Sequence, residues 1–459
     1  MSGSDPGGTS GGVRPPWARS DRPLPRRVLR PLQEFLSTSS ASATLLFLAA
    51  LVAVVWANSP WQGSYEQLWT TSLGTRLGTW SIELDLRHWV NDGLMALFFL
   101  VAGMEIKREL LIGELRDRRA AALPVVAAIG GMVVPALLYL LLTAGTDGSH
   151  GWGVPMATDI AFALGVLTLA ARHAPANLKP FLLTLAIVDD IGAIVVIALF
   201  YSGGVAWSWL AAAVAVVLLI VGLRRIHVQA MVLYLGLGVV LWLFTYESGL
   251  HPTIAGVALG LLTPAVPFQR PRAVSAEAVR TADETRDDPV PPDADAHQWL
   301  RLAWLAREAV SPLARVEHVL LPWTSFVIVP LFALANAGVS FTAGTIGDAL
   351  SSRVTTGVIL GLVVGKVVGI SAAGWVAVRL GIGRLPIGVR WSHLVGTAAV
   401  AGIGFTVSLF ITELAFEEPL LQEEAKVGIL VASALAGGLG YLLLRRAPHA
   451  ADGDALGDG

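Results

Sequence analysis

The sequence predicts an all-α polytopic membrane protein: twelve transmembrane helices arranged as inverted repeats, with two broken helices, spans 4 and 11, crossing near the bilayer midplane. Three observations carry this expectation. Apolar residues make up 54% of the 459 residues and charged residues only 14%, against about 25% charge in a soluble domain, and the mean hydropathy is +0.65. Apolar runs approaching the roughly 20 residues that cross a bilayer recur along the whole chain. Basic residues gather in alternate loops between those runs, as they do when each run crosses. The net charge of −2 gives no reason to expect a nucleic-acid partner, and the lack of cysteine excludes disulfides, thiolate nucleophiles and cysteine metal sites.

Residues 1–40, rich in Gly, Pro, Ser and Arg, read as a disordered basic tail. The segment around Arg26 and Arg27 has the look of a twin-arginine export signal, but the apolar run after it is only the first of many and no small-residue cleavage site follows. The membrane domain then spans residues 41–446, with runs at 42–57, 88–106, 120–144, 153–171, 178–201, 206–223, 228–246, 250–266, 318–340, 355–380, 391–416 and 425–444. Lys107, Arg108, Arg116, Arg118 and Arg119 follow span 2, Arg172 and Lys179 precede span 5, and Arg224 and Arg225 follow span 6. The 267–316 loop, Arg379, Arg384 and Arg390, and Arg445 and Arg446 continue the series, while the other loops hold few bases. Both termini are therefore expected in the cytoplasm. Residues 269–299 read as a flexible cytoplasmic connection, and 447–459 as a disordered tail. Tryptophans near span ends, such as Trp56, Trp152 and Trp323, suit interfacial anchoring.

Ionisable residues inside the spans point to function. Span 5 carries adjacent Asp189 and Asp190 at its centre, each costing roughly 2.5–3.5 kcal/mol on insertion scales. At about 100° per residue they cannot face one partner, so one can face an aqueous cavity and the other a neighbouring helix. In span 4, Pro155 precedes Thr158 and Asp159, and the proline makes a helix break plausible. In span 11, Gly402 and Gly404 could unwind a second helix. Two interrupted helices in different halves suit an inverted-repeat transporter, with Asp159 balancing half-helix ends. A simple proline kink and glycine packing are the structural alternatives.

Lys366 lies about 11 residues, or roughly 16 Å, from either end of span 10, too deep to snorkel. It must pair within the bundle, with a span 5 carboxylate as the obvious partner. When that partner is withdrawn, Lys366 can act as a proton carrier. Span 2 holds Asp92 near one end, suited to pairing inside the bundle, and Glu105 and Glu109 near the other. The two glutamates share a face and need a cation or arginine between them. They read either as an ion entrance or as a solvated helix end. His251 and Glu317, at span boundaries, read as polar caps or pH-sensitive groups.

The motifs NDGLMALFFLVAGMEIKREL, ATDIAFALGVL, LAIVDDIGAIVVIALFY, LGLVVGKVVGIS and GIGFTVSLFI resemble those of bacterial sodium/proton antiporters of the NhaA type, and the resemblance runs from about residue 40 to 446. It implies exchange of sodium or lithium for protons across the inner membrane, electrogenic and pH-regulated, with no catalytic chemistry and no resident cofactor. Its expected partners are lipid, sodium and protons, with a homodimer compatible. By position, it implies Asp190 as the main cation and proton carboxylate, Asp189 as the acid paired with Lys366, and Asp159 with Thr158 at the helix crossing. Sodium would take oxygens of Asp190, Asp189 and Thr158, in keeping with a hard cation. The family's cytoplasmic-side pH response maps onto Glu105, Glu109, His251 and Glu317. Leu321 and Pro252 depart from common family residues, and the first tail and the 267–316 loop are longer than usual. A cation-coupled organic-anion symporter would need a membrane-embedded arginine or a free half-helix end, and the spans hold no such arginine. An intramembrane aspartyl protease would leave the Asp189–Asp190 adjacency and Lys366 without a role.

Overall fold

In the computed structural model, residues 39–77, 80–170, 175–226, 228, 231–287, 292–340 and 351–447 are described, and the fold is mostly helical. The expected tails at 1–38 and 448–459 lie outside the described residues. Seven helices are long and apolar enough to cross a membrane: α3 (Leu86–Leu111), α4 (Arg118–Thr143), α6 (Leu178–Phe200), α7 (Trp207–Arg225), α12 (Pro312–Asn336), α13 (Arg353–Arg379) and α16 (Pro419–Arg446). Three further apolar segments are bent pairs. Helix α1 (Ser39–Ala57) turns by 117° into α2 (Gln62–Trp69). The 3-10 segment Asp147–Met156 leads at 47° into α5 (Ile160–Ala170), and α14 (Trp391–Val400) at 47° into α15 (Phe405–Ala415). Two shorter apolar helices, α8 (Met231–Glu247) and α9 (Thr253–Leu262), complete the membrane set. The sequence places span 8 at 250–266, but helix α9 starts only after Pro252 and is over by Thr263, just before Pro264, because proline supplies no backbone donor.

Two regions differ from the sequence expectation. The loop between spans 1 and 2 is built, not plain: strands β1 (Ser72–Leu77) and β2 (Trp80–Asp85) pair antiparallel, with Leu73 opposite Leu84. The 267–316 loop, of which 269–299 was read as flexible, contains helices α10 (Pro271–Asp287) and α11 (Pro292–Glu308) packed on each other. Val274 and Thr281 supply a buried helical-spaced stripe on α10, which the surrounding Pro, Asp and Arg obscure in the sequence.

Small residues set the closest helix contacts, as expected where lipid supplies no hydrophobic drive between helices. Helices α3 and α9 meet through Gly103, Gly256 and Gly260, where an added Cβ on Gly256 would stand 2.1 Å from the Ala96 carbonyl. Helices α4 and α13 meet through Gly130 and Gly369, where a Cβ on Gly369 would stand 2.2 Å from the Gly130 carbonyl. Helices α3, α12 and α13 each contain one π turn, at Trp89–Leu94, Thr324–Ile328 and Gly361–Gly365. The last directly precedes Lys366, and such turns recur at functional sites.

Candidate functional site

The site lies where the two 47° pairs meet α6 and α13. Between Met156 and Ile160 the chain carries no helical turn, and residues 401–404 interrupt the second pair. Each broken chain end serves the other. Ser408 Oγ donates to the Val154 carbonyl at 2.7 Å, Asp159 N donates to the Ile403 carbonyl at 2.6 Å, and Thr158 Oγ1 lies 2.8 Å from the Ala401 carbonyl. Backbone groups freed by the breaks thus find partners inside the protein, the condition for irregular backbone at membrane depth.

Asp159 joins the amino ends of both half-helices. Its Oδ1 accepts from Phe162 N at 3.1 Å, in the first turn of α5. Its Oδ2 accepts from Thr406 N at 3.1 Å and Thr406 Oγ1 at 2.6 Å, in the first turn of α15. One carboxylate therefore faces two positive helix ends, as the sequence suggested for this residue. Of the two readings of Gly402 and Gly404, unwinding and close packing, the contacts favour the second. Gly404 has φ −92°, and neither glycine takes a positive φ, so conformational freedom is not what they supply. They supply space: a Cβ would stand 2.4 Å from the Leu362 carbonyl at Gly402, and 2.2 Å from Ser408 Oγ at Gly404.

Asp189 and Asp190 divide as their 100° separation requires. Asp189 is buried and paired with fully buried Lys366, Nζ to Oδ2 being 2.6 Å. Thr158 Oγ1 lies 2.7 Å from the same Oδ2 and accepts from Lys366 Nζ at 3.0 Å. The other oxygen, Asp189 Oδ1, is buried without a hydrogen-bond partner among the described residues. Asp190 is half-buried and makes no hydrogen bond or ion pair among the described residues, while Glu105, Asp189, Asp159 and Lys366 are the charges that act on it. The ligand set of Asp190, Asp189 and Thr158 is consequently not free as a whole, because Lys366 occupies Asp189 Oδ2 and Thr158 Oγ1 and leaves only Asp189 Oδ1 of that pair open. No cluster of three His, Asp or Glu residues suited to a metal ion occurs among the described residues.

The remaining candidates fall into two groups at opposite ends of α3. At one end Arg108 pairs with Glu317 and stands 3.8 Å from Glu105, so an arginine does answer the acidic face. Glu109 turns aside to accept from Glu114 N at 3.1 Å. Lys107, read from the sequence only as one of the charges at the end of span 2, donates to the carbonyls of Leu261 and Thr263 at 2.8 and 2.6 Å and caps α9. At the other end, His251 Nε2 lies 3.4 Å from Asp92 Oδ1, and His251 Nδ1 lies 2.8 Å from Thr253 Oγ1. Asp92 and Glu105 are 13 residues apart on one helix, about 20 Å, so His251 does not join Glu105, Glu109 and Glu317 as the sequence reading had it. Buried Asn91 and Asn336 pair beside it, Asn336 Nδ2 to Asn91 Oδ1 being 2.8 Å.

Sequence reasoning missed Thr406 and Ser408. Their signal was present in GFTVS, where hydroxyls follow a glycine break as Thr158 follows Pro155.

Half-helices facing each other across a shared acid, next to a buried lysine–aspartate pair and an unpaired aspartate, define a secondary transporter that handles small ions. The sequence profile of the family described as Na+/H+ antiporter 1 matches residues 33–444, and the chain belongs to that family. It is similar to the Na+/H+ antiporter NhaA 3 of Frankia alni, 48% identical over 415 residues that cover 90% of this chain and 88% of that protein. It is also similar to the NhaA antiporters of Janthinobacterium sp., at 45% over 91% of this chain and 93% of the relative, and of Wolinella succinogenes, at 44% over 90% and 92%.

Proposed function

We propose that the protein exchanges sodium or lithium for protons across the bacterial inner membrane, with Asp190 as the carboxylate that protons and cation bind in turn. The observation that carries the reading is the partnerless Asp190 beside an Asp189 already held by Lys366. A carboxylate with no protein donor binds either a proton or a hard cation, but not both, so coupling follows from mutual exclusion. When the cation also draws on Asp189, Lys366 loses its counter-charge and gives up its proton. Two protons against one sodium make the exchange electrogenic. Glu105, Glu109 and Glu317, with Arg108 between the first and last, form the charged approach to Asp190 and set the pH at which it opens. The seven long helices, three bent pairs and two shorter helices each cross once, and the alternation of basic loops favours cytoplasmic termini.

Inside-out vesicles with a trapped pH dye test this. Addition of NaCl or LiCl, but not an equal concentration of choline chloride, is expected to dequench the dye increasingly from mildly acidic to alkaline pH. Absence of a response to every alkali cation from folded protein would sink the proposal.

A further inference from the structure

Helices α10 and α11 take no part in the site, yet α11 presents a second apolar face. Leu302 and Leu305 are partly buried, on the side that packs against α10. On the opposite side Leu300 and Trp304 are 67% and 56% exposed, with Arg307 continuing the stripe at helical spacing, and Trp299, 46% exposed, flanks it at the edge of the α10-facing side. The hairpin is tied to the membrane helices at its stems. Gln269 N donates to the Glu308 carbonyl at 3.2 Å and Leu313 N to the Pro264 carbonyl at 3.0 Å, and α11 ends four residues before α12 begins. A connection that short spans at most about 14 Å.

What covers this face follows from its size, composition and charge. Two tryptophans and a leucine at these exposures offer roughly 400 Å², about half of what each partner contributes to a stable protein interface. Tryptophan beside arginine on an amphipathic helix is the composition of a bilayer-surface segment. Arg270, Arg272, Arg307 and Arg315 lie toward the stems, with Glu308 among them. Exposed apolar residues also continue from the stem onto α12, through Val310 to Val319 and Trp323.

We propose that α11 is a membrane-surface anchor, its Trp299, Leu300 and Trp304 face seated in the headgroup region and Arg307 on anionic lipid headgroups. This seating is independent of which ion the protein carries. It holds the stem of α12, and with it Glu317, at a fixed depth.

The chain has no cysteine, so single labels can be placed directly. Leu300→Cys and Trp304→Cys, with Ala276→Cys on the outer face of α10 as comparator, would each carry a nitroxide in vesicles of phosphatidylcholine and phosphatidylglycerol. The labels at 300 and 304 are expected to collide several-fold more with oxygen, relative to a water-soluble nickel chelate, than the label at 276. That preference should weaken when phosphatidylglycerol is omitted. Equal collision ratios at all three positions would overturn the proposal, and so would spin–spin broadening at 300 or 304 that disappears on dilution with unlabelled protein, which would mean that a second copy covers the face. Loss of cation exchange with the depth pattern retained would count against the exchange reading alone.

Discussion

Adjacent acids given different partners set the chemistry of this protein. Asp189 is committed to Lys366 and Thr158, whereas Asp190, one residue on, is left with a half-buried carboxylate and no donor among the described residues. Asp190→Asn is isosteric and touches no ion pair, so it should abolish sodium-dependent proton release while leaving the thermal unfolding temperature close to wild type. Asp189→Asn should do the opposite in stability: it strands Lys366 in the interior, and breaking a buried pair costs about 3–5 kcal/mol, to be read as a lower unfolding temperature in detergent. Asp189→Asn combined with Lys366→Met should recover much of that loss, since no unpaired charge remains. The division of labour was legible in the sequence, because adjacency on a helix forces it. The partners were less so. Thr406, Ser408 and the Asp92–His251 pair depend on which helices cross, and a chain read in order carries no register between residues some 160 or 250 positions apart.

At the scale of elements, the glycine contacts and the shared acid cap hold the half-helices in place. A methyl group at Gly369 would meet the Gly130 carbonyl, and overpacking of this kind typically costs about 1–3 kcal/mol. Gly369→Ala is therefore expected to lower the unfolding temperature and to loosen the Lys366 position one turn away, so exchange should weaken even in protein that remains folded. Thr406→Val removes the hydroxyl donor to Asp159 but keeps the backbone one. The cost should resemble that of a lost helix cap, about 0.5–2 kcal/mol, with a reduced exchange rate and retained ion selectivity. Long apolar runs made the seven full-length helices readable. The bends at 157–159 and 401–404 were readable only through Pro155 and the Gly402–Gly404 pair, and of the two readings of the glycines, unwinding and close packing, the contacts favour packing: they make room for Leu362 and Ser408 without adopting unusual backbone angles. The β-hairpin and the α10–α11 pair stayed hidden, because neither a six-residue strand nor a Pro- and Asp-flanked amphipathic helix stands out beside membrane-length hydrophobicity.

At the scale of the whole molecule, the proposed competition at Asp190 fixes the sign of the pH dependence. If a proton on Asp190 excludes sodium, the apparent KM for sodium should fall as pH rises, by about tenfold per pH unit for each proton displaced while those groups are mostly protonated, and level off once they are deprotonated. Exchange that instead slowed at alkaline pH at fixed saturating sodium would mean that proton supply, not cation binding, limits the cycle there. The Arg108–Glu317 pair adds a second layer: Arg108→Ala frees Glu105 and Glu317 from their counter-charge and should displace the pH profile without changing the ratio of sodium to lithium response. The class of the fold was legible from hydropathy and charge alone, while the placing of His251 beside Asp92 was not, since sequence order does not reveal which end of a bundle a loop closes.

Sodium binding to purified protein, with proton release recorded in the same titration by a pH-sensitive dye in weak buffer, tests the shared carboxylate most directly. The account predicts that each sodium bound below the midpoint of the pH profile displaces at least one proton, and that Asp190→Asn loses both signals together. Undiminished sodium binding in Asp190→Asn, or binding by the wild type with no proton released, would contradict it.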